Sequence, residues 1–409
     1  MKKSVICLVI LMLASIPISA EETIEWWHFW TNPEIKPTIE QIVADFEAAN
    51  PGITVKLTDL TWANGHEKIA IALASGKGPD VLELGSDWIA QFAASNQLTE
   101  LSGGPTFDTS KHTGWGMARY QDKVYAHPWI LGTRVIFANR ELLRRAGYSA
   151  DWAPLSWIEL GRACKDVNEL GRNIYGWGSN TAEKHRLYKK YLPFFWSARA
   201  QVFSDDEKFC VVSSERAVAA LKFYKELHDS TGYVANQRGI EDAFLDGQIG
   251  LIMSGDWLLK RIDVEKRPID FTTLVFPGTF RRDQRPFPGK SFLGGEFLAI
   301  PAASKNKEAA LKLIEFIASA KNQLKFCQAN FSACPSSKEA QRDEYFTSNE
   351  HLMTFIRQMR LAKHPPVDPD WVHIESEIEK AVEDALFGRG LPATALYEAR
   401  EKIAELKSK

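Results

Sequence analysis

Short apolar strands alternate with helical segments along this chain, and this alternation constrains the fold more than any other feature of the sequence. Residues 24–30, 53–57 and 81–84 have the composition of strands, and helical patterns over residues 39–49 and 66–75 separate them. Helices placed between short strands are typical of βαβ units, which build a parallel sheet covered by helices. The sequence therefore predicts an α/β protein.

The length and composition of the chain predict two folded domains. Its 409 residues exceed what one hydrophobic core usually serves. A hydrophobic fraction of 45% with 25% charged residues is unlike that of a disordered chain. The 50 Lys and Arg residues nearly balance the 52 Asp and Glu residues, and the formal charge of −2 argues against a nucleic-acid-binding protein.

The first twenty residues have the layout of a secretory signal peptide. Lys2 and Lys3 precede a short apolar run over residues 5–16, and small residues ending at Ala20 precede Glu21. The run is too short for a membrane-spanning helix, which needs about 18 or more apolar residues. We therefore expect a soluble mature protein in the periplasm or otherwise outside the cytoplasm.

Four cysteines follow the expected cleavage point, and export makes disulfides possible. Cys327 and Cys334 are close in sequence, so a local bridge between them is one candidate, whereas Cys164 and Cys210 are expected to be free. The cysteine spacing does not match a zinc site, and the nine histidines form no i,i+4 pair. The sequence thus predicts neither a metal nor a cofactor.

The usual short motifs of enzymes are missing from the sequence. It contains no G-x-S-x-G, H-E-x-x-H, P-loop or G-x-G-x-x-G pattern. We therefore expect a protein that is not an enzyme. A carboxylate pair for glycoside hydrolysis stays open as an alternative, since 52 acidic residues always offer a pair.

Several separated blocks of the chain resemble one family. They are residues 48–55, 74–81, 123–142, 243–257, 294–305 and 388–396. Together these blocks are similar, in order and over nearly the whole mature chain, to extracellular solute-binding proteins of ABC-type sugar importers, in the maltodextrin-binding class. Six blocks in order are a specific likeness, whereas one alone would be weak.

The resemblance implies a two-lobed, periplasmic-binding-protein-like α/β fold of type II. Each lobe is a β-sheet flanked by helices, and hinge strands join the two lobes. Lobe one is expected over residues 21–131 plus 297–345, and lobe two over 132–296 plus 346–409. The likeness further implies a monomer that captures a carbohydrate, such as an oligosaccharide, in the cleft between the lobes and delivers it to the membrane permease subunits of an importer.

Carbohydrate capture requires flat aromatic side chains for the apolar face of a sugar ring and polar groups for its hydroxyls. The chain is rich in Trp, with 13 residues. Trp257 matches the stacking Trp of the family, with core packing as the alternative. Trp30 ends the first predicted strand and Asn32 follows it, at the point where the family contacts sugar. Asp87 matches a hydroxyl-binding carboxylate, or else it caps the helix that follows.

Further candidates come from the expected crossings between lobes and from loops. Trp129 lies at the first crossing and Glu296 beside the second, and Trp62 precedes the second helix. Trp196 and Arg199 stand near the point where many relatives carry a Gly-Gly pair. A guanidinium there indicates an acidic or hydroxyl-dense sugar, or simply a surface ion pair with neighbouring acids.

Two other functions stay open at this point. A polyamine or another non-sugar solute would suit an acidic, aromatic cleft, and a secreted glycoside hydrolase would use two of the acidic residues.

Overall fold

The computed structural model describes residues 22–101, 108–181, 183, 186–280, 286–331 and 334–408. The expected signal peptide, residues 1–20, lies outside the described residues. The strands, in chain order, are β1 (Glu22–His28), β2 (Ile53–Asp59), β3 (Val81–Gly85), β4 (Arg119–Tyr120), β5 (Lys123–Val124), β6 (Ala126–Thr133), β7 (Val135–Asn139), β8 (Tyr175–Asn180), β9 (Gly232–Ala235), β10 (Ile249–Ser254), β11 (Phe271–Leu274), β12 (Pro277–Phe280), β13 (Pro286–Pro288) and β14 (Leu293–Ala299).

Helices occupy most of the connections between these strands, and six more α-helices follow the last strand in the part of the chain that the structure describes. They are α1 (Lys36–Ala49), α2 (Gly65–Ala74), α3 (Ile89–Ala94), α4 (Arg140–Arg145), α5 (Trp157–Asn168), α6 (Leu187–Ser197), α7 (Glu215–Thr231), α8 (Gln237–Leu245), α9 (Trp257–Glu265), α10 (Lys307–Ile317), α11 (Ala320–Asn330), α12 (Glu344–Thr347), α13 (Glu350–Leu361), α14 (Trp371–Leu386) and α15 (Pro392–Lys407). A short 3₁₀-helix covers Ala340–Arg342.

The first large sheet has the strand order β2-β1-β3-β14-β6. Strand β1 runs parallel to β2 and β3, because α1 and α2 return the chain to the same end of the sheet. Side chains alternate across β1, so Trp26 is fully buried whereas its neighbour Trp27 is only half-buried. Strand β14 is antiparallel to both β3 and β6.

The second large sheet has the strand order β11-β7-β10-β8-β9. Strands β8, β9 and β10 are parallel, whereas β7 is antiparallel to β10 and β11. Helices α6, α7, α14 and α15 pack against one another beside this sheet. Their core holds large, fully buried aromatic rings, among them Trp177, Phe194 and Trp371.

The chain passes from the first sheet to the second at a single residue. Strand β6 ends at Thr133, strand β7 begins at Val135, and Arg134 lies between them. Along its length β6 pairs with β14, which joins the first sheet from Leu293 onward. The crossings therefore lie beyond Thr133 and before Leu293, and the expected boundaries 131/132 and 296/297 fall inside strands of the first sheet.

The C-terminal region is also less simply divided than the sequence indicated. Helix α13, expected in lobe two, contacts β6 of the first sheet as well as β7 and β11 of the second. Helices α14 and α15 contact α6 and α7, which belong with the second sheet.

The candidate disulfide is not formed in the structure. Cys327 and Cys334 are free thiols with no exposed surface, and Cys164 and Cys210 are free as well. Burial raises the pKa of both the Cys327 and the Cys334 thiol well above the ordinary value. Both side chains therefore serve as small apolar groups in the core. Among the described helices, none combines the length and the hydropathy that a membrane span requires.

Candidate functional site

Three predicted site residues follow adjacent parallel strands of the first sheet. Trp30 comes after β1, Trp62 after β2 and Asp87 after β3. Because β2, β1 and β3 are neighbours, their carboxyl ends share one edge of the sheet. Open α/β sheets bind their ligands at this edge, so the fold brings these three positions to one region.

Trp62 is the exposed aromatic side chain at this edge. Its ring lies on Phe29 with the centroids 4.1 Å apart and an interplanar angle of 16°. Trp88 adds a tilted contact at 5.6 Å. The ring remains 47% exposed. One face is thus supported by Phe29, and the side chain retains free surface for a flat ligand.

Asp87 connects the first sheet with a helix of the second. Its carboxylate accepts hydrogen bonds from the Tyr188 hydroxyl at 3.1 Å and from the Lys189 ammonium at 3.2 Å, both at the start of α6. Burial raises the pKa of Asp87, but the Lys189 charge and these hydrogen bonds outweigh it, so the pKa lies below its ordinary value. Asp87 is therefore ionised at neutral pH and joins the two halves of the molecule.

The start of α6 is held in place from α14. The buried Glu379 carboxylate accepts hydrogen bonds from the backbone N–H groups of Leu187 at 2.8 Å and Arg186 at 3.1 Å. An acceptor at this position satisfies donors that a helix N-terminus leaves unpaired. It thereby fixes the part of α6 that presents Tyr188 and Lys189 to Asp87.

Trp257 occupies the matching position on the second sheet, after β10. Its ring is 38% exposed. The indole N–H donates to Glu241 at 2.7 Å, and the Arg134 guanidinium lies 4.5 Å from the ring centroid. A Cβ atom at Gly255 would come within 2.0 Å of the ring, so only glycine fits beneath it. Three contacts thus fix the ring.

Acidic and basic groups meet between the two sheets. Glu296 lies in β14 opposite Gly85 of β3. Burial and the charge of Asp256 raise the pKa of Glu296 to about 8, although Arg134 opposes them. Burial lowers the pKa of Arg134, while Asp256 and Glu296 favour its charged form. The crossing residue Arg134 thus shares one electrostatic environment with carboxyl groups from both sheets.

Two of the predicted ligand contacts lie in the core instead. Trp129 has an exposed fraction of 0% and packs against Trp26 and Phe326, with centroid distances of 5.8 and 4.9 Å. Trp196 is 3% exposed and lies over Phe292. Neither side chain offers surface to a ligand in this structure, because each lies among other aromatic rings. Trp30 is half-buried, with its ring 4.7 Å from that of Phe326.

Arg199 and Asn32 lie on the surface. Arg199 is exposed, has a φ of 62° and follows the C-terminal end of α6. Lys189 lies near the other end of this helix of 11 residues, about 15 Å away at 1.5 Å per residue. Arg199 is therefore separated from the cations that face the acidic groups, Lys189 and Arg134. Asn32 is exposed before α1, and its backbone carbonyl accepts from Ile35 and Lys36.

Neither Lys189 nor Arg134 was identified as a site residue from the sequence. The signal for Arg134 was its place between two consecutive strand patterns. For Lys189 we find no sequence signal, because its role depends on where α6 lies relative to β3. No group of three or more His, Cys, Asp or Glu side chains suited to a metal occurs in the part of the chain that the structure describes.

Comparison with models of known protein families shows which family the chain belongs to. Residues 31–324 match the model of a family described as bacterial extracellular solute-binding protein. The chain belongs to this family. The predictions of a family resemblance, of a two-lobed α/β fold and of a solute-binding protein rather than an enzyme are thereby confirmed.

Individual relatives are distant but cover nearly the whole chain. A putative binding protein of Brucella abortus is 25% identical over 386 residues, which are 91% of this chain and 90% of the relative. The galactooligosaccharide-binding protein of Bacillus subtilis is 24% identical over 93% of this chain and 89% of its own length. The solved GacH receptor of Streptomyces glaucescens, studied unliganded and with acarbose, superposes with a TM-score of 0.80 at 22% identity, covering 94% of this chain and 98% of the receptor.

Proposed function

We propose that this family member is the extracytoplasmic carbohydrate-binding component of an ABC importer, and that it captures an oligosaccharide between its two sheets. The observation that most supports this proposal is the placement of exposed indole rings beside both sheets. Trp62 follows a strand of the first sheet and Trp257 a strand of the second, and both lie near charged groups at strand ends. The oligosaccharide named for the Bacillus subtilis relative and the acarbose complex of the Streptomyces receptor support this ligand class.

Each group has a role suited to a sugar. The rings of Trp62 and Trp257 stack on the apolar faces of sugar units. Asp87 and Glu296 accept hydrogen bonds from hydroxyls, while Arg134 donates to them. Trp30 borders the site through its half-buried ring. Trp129 and Trp196 support it from the core, and Arg199 and Asn32 make no contact with the ligand.

Capture involves closure of two lobes built on the two sheets. Since β6 and β14 belong wholly to the first sheet, we place the hinge at Arg134 and just before Leu293. Periplasmic binding proteins close around their ligands by such hinge motion. The protein acts as a monomer outside the cytoplasm, after removal of residues 1–20, and passes the sugar to the permease subunits of the importer.

A thermal-shift screen tests the proposal. The panel contains maltooligosaccharides, galactooligosaccharides, their monosaccharides and spermidine. A ligand at 100 times its dissociation constant stabilises the folded state by about 2.7 kcal/mol, which shifts the melting temperature measurably. We expect an oligosaccharide to shift it, to be recovered intact, and to lose its effect in Trp257→Ala.

Three results would contradict the proposal. A shift with spermidine and none with any sugar would indicate a polyamine-binding protein. Recovery of shorter sugars would indicate hydrolysis. An equal sugar-induced shift in wild type and in Trp257→Ala would remove Trp257 from the site.

A further inference from the structure

A buried carboxyl group, Glu241, lies behind the exposed ring of Trp257. Glu241 is on α8 and is only 3% exposed. Its Oε1 atom accepts three hydrogen bonds of 2.7 Å, from the Trp257 indole N–H, the Ser254 hydroxyl and the Gln237 amide. Its Oε2 atom accepts from Arg261 at 3.1 Å. Glu241 therefore receives four donors from three successive elements, α8, β10 and α9.

Two of these donors lie one turn apart on the same helix. Trp257 is the first residue of α9 and Arg261 is the fifth, so Glu241 holds the first turn of α9 through both. Arg261 has further acidic partners, Asp242 and Glu265. In contrast, within the described residues the indole N–H of Trp257 donates its hydrogen bond to Glu241 only.

An exposed Trp does not need a buried partner, because water can accept from its indole N–H. A buried acceptor instead fixes the orientation of the ring. A side chain held in one rotamer before binding loses less conformational freedom when the ligand arrives, and affinity rises accordingly. The edge of Trp257 is fixed by Glu241, and one face lies against the Arg134 guanidinium at 4.5 Å.

We infer that Glu241 is a positioning residue for ligand binding, which fixes the stacking orientation of Trp257 through its indole N–H without touching the ligand. This inference rests on the proposed role of Trp257 as a ligand contact. It adds a specific residue, in the layer behind the site, on which affinity depends.

A double-mutant cycle tests the inference, with the tightest-binding oligosaccharide of the thermal-shift panel as the probe. Trp257→Phe keeps an aromatic face but lacks the N–H donor. In wild type, Glu241→Ala should weaken binding by up to about tenfold, because the ligand must then order the freed Trp257 side chain itself. In the Trp257→Phe background, Glu241→Ala should change the affinity by less than about twofold.

Asp242→Ala is the matched control, because Asp242 neighbours Glu241 and also pairs with Arg261 but has no hydrogen bond to Trp257. The dissociation constant of Asp242→Ala for the probe oligosaccharide, measured by calorimetry, should stay within about twofold of that of wild type. Equal losses from Glu241→Ala in both backgrounds would overturn the inference, since Glu241 would then act through the fold in general.

A measurement without ligand separates this inference from the proposed function. The indole N–H resonance of Trp257 is identified in an NMR spectrum as the signal that Trp257→Phe removes. Glu241→Ala should shift this resonance, and Asp242→Ala should not. An unmoved resonance in Glu241→Ala overturns the inference even if sugars bind. A shifted resonance supports the positioning contact even if no sugar on the panel binds, in which case the proposed ligand class is what fails.

Discussion

The contact between Asp87 and Lys189 should stabilise the closed arrangement of the two halves. Asp87 follows β3 of the first sheet, Lys189 lies in the first turn of α6 beside the second sheet, and their charged atoms are 3.2 Å apart. The two side chains are only 12% and 22% exposed, so water screens them less than a surface pair.

The expected size of this contribution follows from that partial burial. A hydrogen bond to a charged group is worth about 1.5–3 kcal/mol when buried, and exposed ion pairs are worth about 0–1 kcal/mol. For this pair we expect a coupling of about 1–2 kcal/mol. Lys189→Met removes the charge and keeps the length of the side chain, and Asp87→Asn removes the other charge.

Urea unfolding of the two single variants and the double variant at pH 7 gives the coupling energy. The matched control is the exposed pair of Lys225 and Asp229, 2.9 Å apart within α7, for which we expect about 0.3–0.5 kcal/mol. Because the pKa of Asp87 is lowered in the folded state, its stabilising contribution is complete above its ordinary pKa and disappears as the pH falls through the folded value.

Small-angle scattering supplies the second measurement. If the contact closes the two halves, Lys189→Met without ligand should have a larger radius of gyration than wild type, and ligand should reduce the difference. A coupling no larger than that of the control pair, together with identical scattering curves, would refute the reasoning.

Three further changes have definite expected outcomes. Trp62→Ala should weaken oligosaccharide binding by about 1–3 kcal/mol in calorimetry, since it removes an exposed stacking ring, and an unchanged affinity would exclude Trp62 from the site. Burial lowers the pKa of His127 to about 3, so the unfolded state takes up a proton first as the pH falls from 6.5. The free energy of unfolding then falls by at most about 5 kcal/mol between pH 6.5 and pH 3. His127→Gln should make this fall smaller when the free energy is measured by urea unfolding at each pH. Burial raises the pKa of Glu296 to about 8. The contribution of Glu296 to the free energy of unfolding is therefore complete below pH 4.5 and is lost as the pH rises to 8. Glu296→Gln should therefore gain stability relative to wild type over this range, by at most about 5 kcal/mol, and parallel pH profiles would contradict the assigned environment.

The periodicity of the sequence was sufficient to predict the three parallel strands of the first sheet, β1, β2 and β3, and the helices α1 and α2 between them. The strand expected over residues 53–57 is β2 (Ile53–Asp59), and the helix expected over 66–75 is α2 (Gly65–Ala74). These elements are determined locally, by apolar spacing and by glycines at their ends. The alternation of Trp26 and Trp27 was predictable for the same reason, since successive side chains of a strand face opposite sides.

The candidate site was less predictable, because burial depends on which elements pack together. Trp129 lies within a strand and has no exposed surface, whereas Trp257 follows a strand and is 38% exposed. Trp129 lies within β6, and its ring packs against Phe326 of α11. Trp257 begins a helix beyond the end of β10, where a side chain can remain exposed. Position relative to the end of a strand was thus a better guide than residue type.

The position of Arg134 would couple the proposed closure to assembly of the proposed site. It is the one residue between β6 of the first sheet and β7 of the second, so any rotation of one sheet relative to the other changes its backbone direction. Its guanidinium lies against the Trp257 ring, while its charge interacts with both Asp256 and Glu296. A rotation at this crossing therefore moves the cation relative to the stacking ring and the two carboxyl groups at once. For this reason the hinge and the proposed ligand contacts are expected to respond together to substitution of Arg134.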